Sequence, residues 1–131
     1  MIAPKALALV ALGGALGASG RYVTTLAMQA WLGRAFPWGT LSVNVIGSFA
    51  MGIAFVALAA LGDEQRANEG RLLLMTGVLG GFTTFSAFSL ETLALMEQGE
   101  WTRSVANVGV SVALCLAATF AGLALARQWS P

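Results

Sequence analysis

The chain has no histidine and a single cysteine, Cys115. Without histidine there can be no histidine-based triad, imidazole metal site or histidine pH switch. One cysteine rules out an intrachain disulfide and any Cys-x-x-Cys cluster. Charge is scarce too. Only 10% of the 131 residues are Asp, Glu, Lys or Arg, against about 25% in an ordinary soluble domain. The net charge of +1 provides no basic patch for nucleic acid, so no nucleic-acid partner is expected. Apolar surface is what the chain has in excess: 57% of residues are hydrophobic and the mean hydropathy is +0.77. So few charges cannot cover a soluble fold, and the length suits one domain. The chain reads as an integral membrane protein.

Uncharged stretches organise it. Residues 35–62, 72–90 and 104–126 carry no charged side chain, and a spanning helix needs roughly 20 mostly apolar residues. A further stretch, Ala6–Gly33, is interrupted only by Arg21. We expect an all-α membrane protein in which residues 1–131 form one domain of four transmembrane helices, at about 5–32, 38–61, 71–97 and 101–127. Trp31, Trp38, Trp101 and Trp129 fall at the expected helix ends, where indole rings favour the headgroup layer. Pro37 precedes the second helix, where its missing N–H costs nothing. Gly62–Gly70, with Asp63, Glu64, Arg66 and Glu69, reads as a solvated loop, and Gln98–Glu100 as a tighter turn. Lys5, the apolar run after it and the small residues Ala15–Ser19 resemble a signal peptide. A chain already this apolar needs no cleaved signal to insert.

Four spans place Lys5, Arg66, Arg71 and Arg127 on one side of the membrane and Arg34 and Arg103 on the other. That weak bias has two readings under the positive-inside rule. Either it suffices to orient the chain, or the chain inserts both ways and pairs antiparallel with itself. Gly13/Gly17 and Gly77/Gly81 form GxxxG pairs, and Ser48/Gly52 the looser small-residue version; such spacings let helices approach closely.

Polar groups inside the spans need a partner or a wet path. Arg21 could snorkel to the interface or attract anions at a vestibule, with Glu91 a possible partner. Asn44 could join helices or donate its amide N–H groups to an anion. In Gly77–Ser89, the pair Gly80-Gly81 followed by Thr83-Thr84 makes a poor helix. We expect the third helix to break near its middle, at the glycines, freeing backbone carbonyls. Phe85 and Phe88 share a face there. Such rings are ordinarily packing, but their positive edges can also face an anion. Asn107, Ser111, Cys115 and Thr119 repeat every fourth residue along one stripe of the last helix. Such groups can bond back to their own helix or line a hydrogen-bonded seam.

Three segments carry a family resemblance: Gly17-Ala18-Ser19-Gly20-Arg21-Tyr22, Gly39-Thr40-Leu41-Ser42-Val43-Asn44, and Gly80-Gly81-Phe82-Thr83-Thr84-Phe85-Ser86-Ala87-Phe88-Ser89 with Glu91. In this order and spacing, the chain resembles the Fluc (CrcB) fluoride channels over essentially its whole length. The resemblance implies an antiparallel, dual-topology homodimer in the inner membrane, with two pores through which fluoride leaves the cell passively. By position, Phe85 and Phe88 would be pore phenylalanines and Asn44 a fluoride donor, with Thr40 and Ser111 along the pore. Arg21 would be the vestibule arginine, and Glu91 belongs to the matching segment. Main-chain carbonyls of Gly80 and Thr83 would hold a central Na⁺ shared by both subunits. Asn107 stands where the family often has an aromatic hydroxyl residue, and Cys115 where it has a hydroxyl.

The chemistry is coherent with these parts. Fluoride holds its water tightly and needs replacement donors, yet conduction needs binding weak enough to release the ion. Amides, hydroxyls and ring edges meet both demands. The alternative is a small multidrug-resistance-type, proton-coupled exporter, which would need a carboxylate deep in the first helix, where this chain has none. A non-conducting membrane subunit would leave the polar stripes unexplained. No acid–base or nucleophile constellation points to an enzyme.

Overall fold

A computed structural model describes residues 3–129. The first helix, α1 (Pro4–Leu32), opens on a proline, a residue suited to a first turn because that turn has no partner for an N–H. It stops at Gly33, whose φ of 82° favours glycine. The second helix, α2, spans Trp38–Ala59. A short connection leads to α3 (Glu64–Gly70), which continues as a wider π-helical stretch over Arg71–Leu79 and a last turn, α4 (Gly80–Phe82). After a break come α5 (Phe85–Glu97) and α6 (Trp101–Trp129). Among the described residues, four helical spans are long and apolar enough to cross a membrane: Pro4–Leu32, Trp38–Ala59, Glu64–Glu97 and Trp101–Trp129. The chain is a multi-pass membrane protein.

Two expectations need correction. Gly62–Gly70 is not a solvated loop, because helix begins at Glu64. The Asp63 carboxylate accepts hydrogen bonds from the Gln65 and Arg66 amides at 3.0 and 3.2 Å, satisfying two of the donors that a helix start leaves unpaired. Polarity alone had suggested a loop, but an N-capped first turn is polar as well. The helix break is also displaced. Gly80 is helical (φ −63°, ψ −37°), whereas Thr83 (ψ 157°) and Thr84 (φ −152°, ψ 115°) are extended. Gly81 serves close approach instead, since a Cβ there would meet the Gly14 carbonyl oxygen of α1 at 2.7 Å.

The helices pair as α2 with α6, and α1 with the π-helical stretch. Small residues make the second contact possible. A Cβ on Gly17 would overlap the Val78 carbonyl oxygen, and Gly13 sits against Gly77. Without a hydrophobic driving force between helices in lipid, such backbone approach is a main source of packing energy. Large apolar side chains such as Leu16, Leu90 and Phe120 point outward, as lipid requires. Trp31, Trp101 and Trp129 lie exposed at the span ends. Lys5 pairs with Glu69 and Arg71 with Glu64 at the end of the bundle that carries the chain termini.

Candidate functional site

The break is built by two helices. The Asn44 side chain, on α2, brackets the Thr84 peptide: its Nδ2 donates to the Thr84 carbonyl at 3.0 Å, and its Oδ1 accepts from the Thr84 N–H at 2.7 Å. Thr84 Oγ1 in turn caps α5 by accepting from the Ala87 N–H at 3.1 Å. Gly47, one turn along α2 from Asn44, leaves room for the Thr83 methyl, which any Cβ there would strike. In an unbroken helix the amides of Thr84 and Ala87 would close onto the carbonyls of Gly80 and Thr83. Both amides are taken elsewhere, so those two carbonyls lose their helical partners.

Around the break lies a cavity of about 310 Å³. Asn44, Thr84, Phe85, Phe88, Ser111 and Cys115 are among its walls, so α2, α5 and α6 all contribute. The Phe85 and Phe88 rings lie 5.3 Å apart, tilted by 48°. Phe88 is half-buried, but Phe85 is 78% exposed.

A buried relay sits behind Phe88. Ser111 Oγ donates to Asn107 Oδ1 at 3.3 Å, and Asn107 Nδ2 donates to Thr92 Oγ1 at 2.9 Å. Thr92 Oγ1 then donates to the Phe88 carbonyl at 2.6 Å. Ser104 Oγ adds a bond to the Thr92 carbonyl at 3.0 Å. Asn107 is 1% exposed. Every polar side-chain group of this relay has a partner, as burial demands.

A second cavity, about 250 Å³, lies next to the first and toward the loop end of the bundle. Thr40 and Glu91 are among its walls. Thr40 stands one turn before Asn44 on α2, and Glu91 three residues after Phe88 on α5, so the two cavities follow one another at about 6 Å of helical rise. Thr40 Oγ1 donates to Glu91 Oε1 at 2.8 Å. Glu91 Oε2 is buried without a hydrogen-bond partner.

The profile of the family described as CrcB-like protein, Camphor Resistance (CrcB), matches residues 8–123. The chain belongs to the CrcB family. It is 52% identical over 121 residues to a "Fluoride-specific ion channel FluC" of Magnetococcus marinus, covering 92% of this chain and 97% of that protein. It is 55% identical over 122 residues to a protein of the same name from Chelativorans sp., covering 93% and 96%. A third, from Geobacter sulfurreducens, is 51% identical over 119 residues, covering 91% and 94%.

In this CrcB-family chain, Asn44, Phe85, Phe88 and Ser111 meet at the first cavity, and Thr40 meets Glu91 at the second. Thr83 lies at the break and Gly80 in the last helical turn before it. Arg21 stands apart. It is half-buried on α1 and lines neither cavity. Among the described residues Arg21 enters no ion pair, so the possible Arg21–Glu91 pair does not form. Three of the four stripe residues of α6 line the first cavity; the fourth, Asn107, is in the relay. Sequence reading named Thr84 only as part of the break and passed over Thr92 and Ser104. Thr92 could have been found from its place four residues after Phe88, the spacing at which a hydroxyl reaches back to a helical carbonyl.

Proposed function

We propose that this CrcB-family chain is a fluoride-selective channel of the inner membrane, through which fluoride leaves the cell passively, and that it acts as an antiparallel homodimer with two pores. The observation that carries the reading is the meeting of an amide, hydroxyls and two phenylalanine rings around a broken helix, in a chain about half identical to proteins named fluoride-specific ion channels. The pore residues of the proposal are Asn44, Phe85, Phe88, Ser111 and Thr40, with Glu91 beyond them and Arg21 at a vestibule between subunits. Asn44 Nδ2 has a second N–H left after its bond to Thr84, and ring edges supply a weak positive field. Neither holds an anion as a full charge would. The 78% exposure of Phe85 supports a second subunit, because a ring that completes an ion path must be covered by protein rather than by lipid.

Fluoride efflux from liposomes holding the purified protein tests the reading. Rapid fluoride loss with no detectable chloride loss is expected. Equal leakage of both ions, or none, overturns it.

Na⁺ is part of the same proposal. The carbonyls of Gly80 and Thr83, whose helical amides are diverted, suit a hard cation that takes oxygen ligands. Na⁺ held between subunits would raise the local potential for an anion and join the two chains. A ligand bound only by the assembled form stabilises it by mass action. The dimer is therefore expected to dissociate more slowly, and to melt higher, in Na⁺ than in N-methylglucamine at equal ionic strength. Identical behaviour in the two salts removes the site.

A further inference from the structure

The second cavity carries a feature that the proposed pore does not use. Three charged side chains are among its walls: Arg34, Arg103 and Glu91. Arg34 lies in the connection between α1 and α2, is exposed, and among the described residues enters no ion pair. Arg103 is the third residue of α6. Its Nη1 lies 3.4 Å from Glu100 Oε1, with both side chains about half exposed. Such a pair is worth little and leaves the guanidinium free to meet another anion.

The three charges are ordered in depth. Arg34 and Arg103 sit at the loop end of the bundle. Glu91 lies six residues before the end of α5 at Glu97, about 9 Å below that end by helical rise, against about 3 Å for Arg103 below the start of α6. An anion arriving from that end meets two cations first and the carboxylate afterwards. Just beyond lie Phe88 and Asn44 of the first cavity.

We infer that Arg34 and Arg103 form an anion-collecting mouth for small inorganic anions at the end of the bundle opposite the chain termini, a role that rests on the channel reading. Two guanidiniums at the rim of a cleft walled by low-dielectric material raise the concentration of anions at that rim. Placed at the rim, the guanidiniums remain hydrated and attract without trapping. The deeper carboxylate opposes dwell, which favours passage over capture. Arg21, the arginine singled out by sequence, has no part in this mouth.

Ionic strength separates collection from a structural role. The Debye length is about 30 Å at ~10 mM salt and about 3 Å at ~1 M. The experiment compares fluoride efflux from liposomes holding wild type, R34Q, R34Q/R103Q or R34K/R103K, with ionic strength set by potassium gluconate. At ~10 mM, R34Q/R103Q is expected to be slowed roughly 3-fold and R34Q by less, with the difference vanishing near ~1 M. R34K/R103K should follow wild type throughout. Arg34 is exposed and, among the described residues, enters no ion pair, so R34Q alone keeps the test sound if the double variant purifies poorly. Wild-type rates in both glutamine variants at low salt overturn the mouth and leave the channel standing, as does a deficit that persists unchanged at high salt. A wild-type protein that passes no fluoride brings down the channel reading and the mouth with it.

Discussion

Phe85→Leu and Phe88→Leu are each expected to reduce fluoride efflux severalfold, up to about tenfold, while the protein still purifies folded. A ring contact worth about 0.5–1.5 kcal/mol corresponds to about a 2- to 13-fold change when lost from a barrier. Leucine keeps an apolar side chain in place but removes the ring edge. At Phe85, which is 78% exposed within the chain, truncation leaves no buried hole in the subunit itself. The alternative, rings that only fill space, predicts the opposite pattern: a lower melting temperature and normal flux. Asn44→Asp is the companion variant. It removes the Nδ2 donor that meets the Thr84 carbonyl and sets a carboxylate where anions would pass, so strongly reduced flux is expected. The measurement is fluoride efflux beside thermal unfolding on the same preparations. Wild-type flux in both phenylalanine variants would return the rings to packing and leave the pore without its assigned walls.

The second large effect concerns assembly. Extending the C-terminus with several lysines is expected to fix one orientation and abolish most fluoride efflux from cells. Co-expression with a copy carrying extra lysines in the Gln98–Glu100 turn, and so biased the other way, should restore it. The reason is that positive charges near span ends set orientation, whereas acidic residues contribute little. The existing bias of Lys5, Arg66, Arg71 and Arg127 over Arg34 and Arg103 is small, so a few lysines outweigh it. Normal efflux from the singly biased protein alone would retire the antiparallel pairing.

Much of this was legible in the sequence, for reasons that vary along the chain. Length and lack of charge locate the spans, because lipid imposes those requirements on each helix separately. The tryptophans mark the ends for the same reason. The site was legible in composition but not in placement. Two glycines beside two threonines announced a break, yet which pair breaks depends on neighbours far along the chain. Gly81 is claimed by the backbone of α1 and stays helical, and Thr84 is drawn out of the helix by Asn44. Asp63 belongs to a polar run that reads equally as loop or helix start until its carboxylate is seen on the Gln65 and Arg66 amides. Arg21 drew attention as a charge inside a span, whereas Arg34 and Arg103 were weighed only in the balance of positive charge across the membrane. Only the folding of the α1–α2 connection toward the start of α6 brings those two to one cavity.

The Asn44 bracket also bears on how the protein is made. A peptide group with open hydrogen bonds costs several kcal/mol in hydrocarbon, so the third span is poorly suited to enter the bilayer alone in its final shape. Its amide at Thr84 is satisfied by a side chain some 40 residues upstream, not by its own helix. A ribosome delivers α2 before α5, so the satisfying group is already in the membrane when the break emerges. The newly made segment can begin as a continuous helix and open only when it reaches α2. Biogenesis then has a built-in order, in which the distinctive kink of this protein is a late event of assembly and not a property its own segment carries into the membrane.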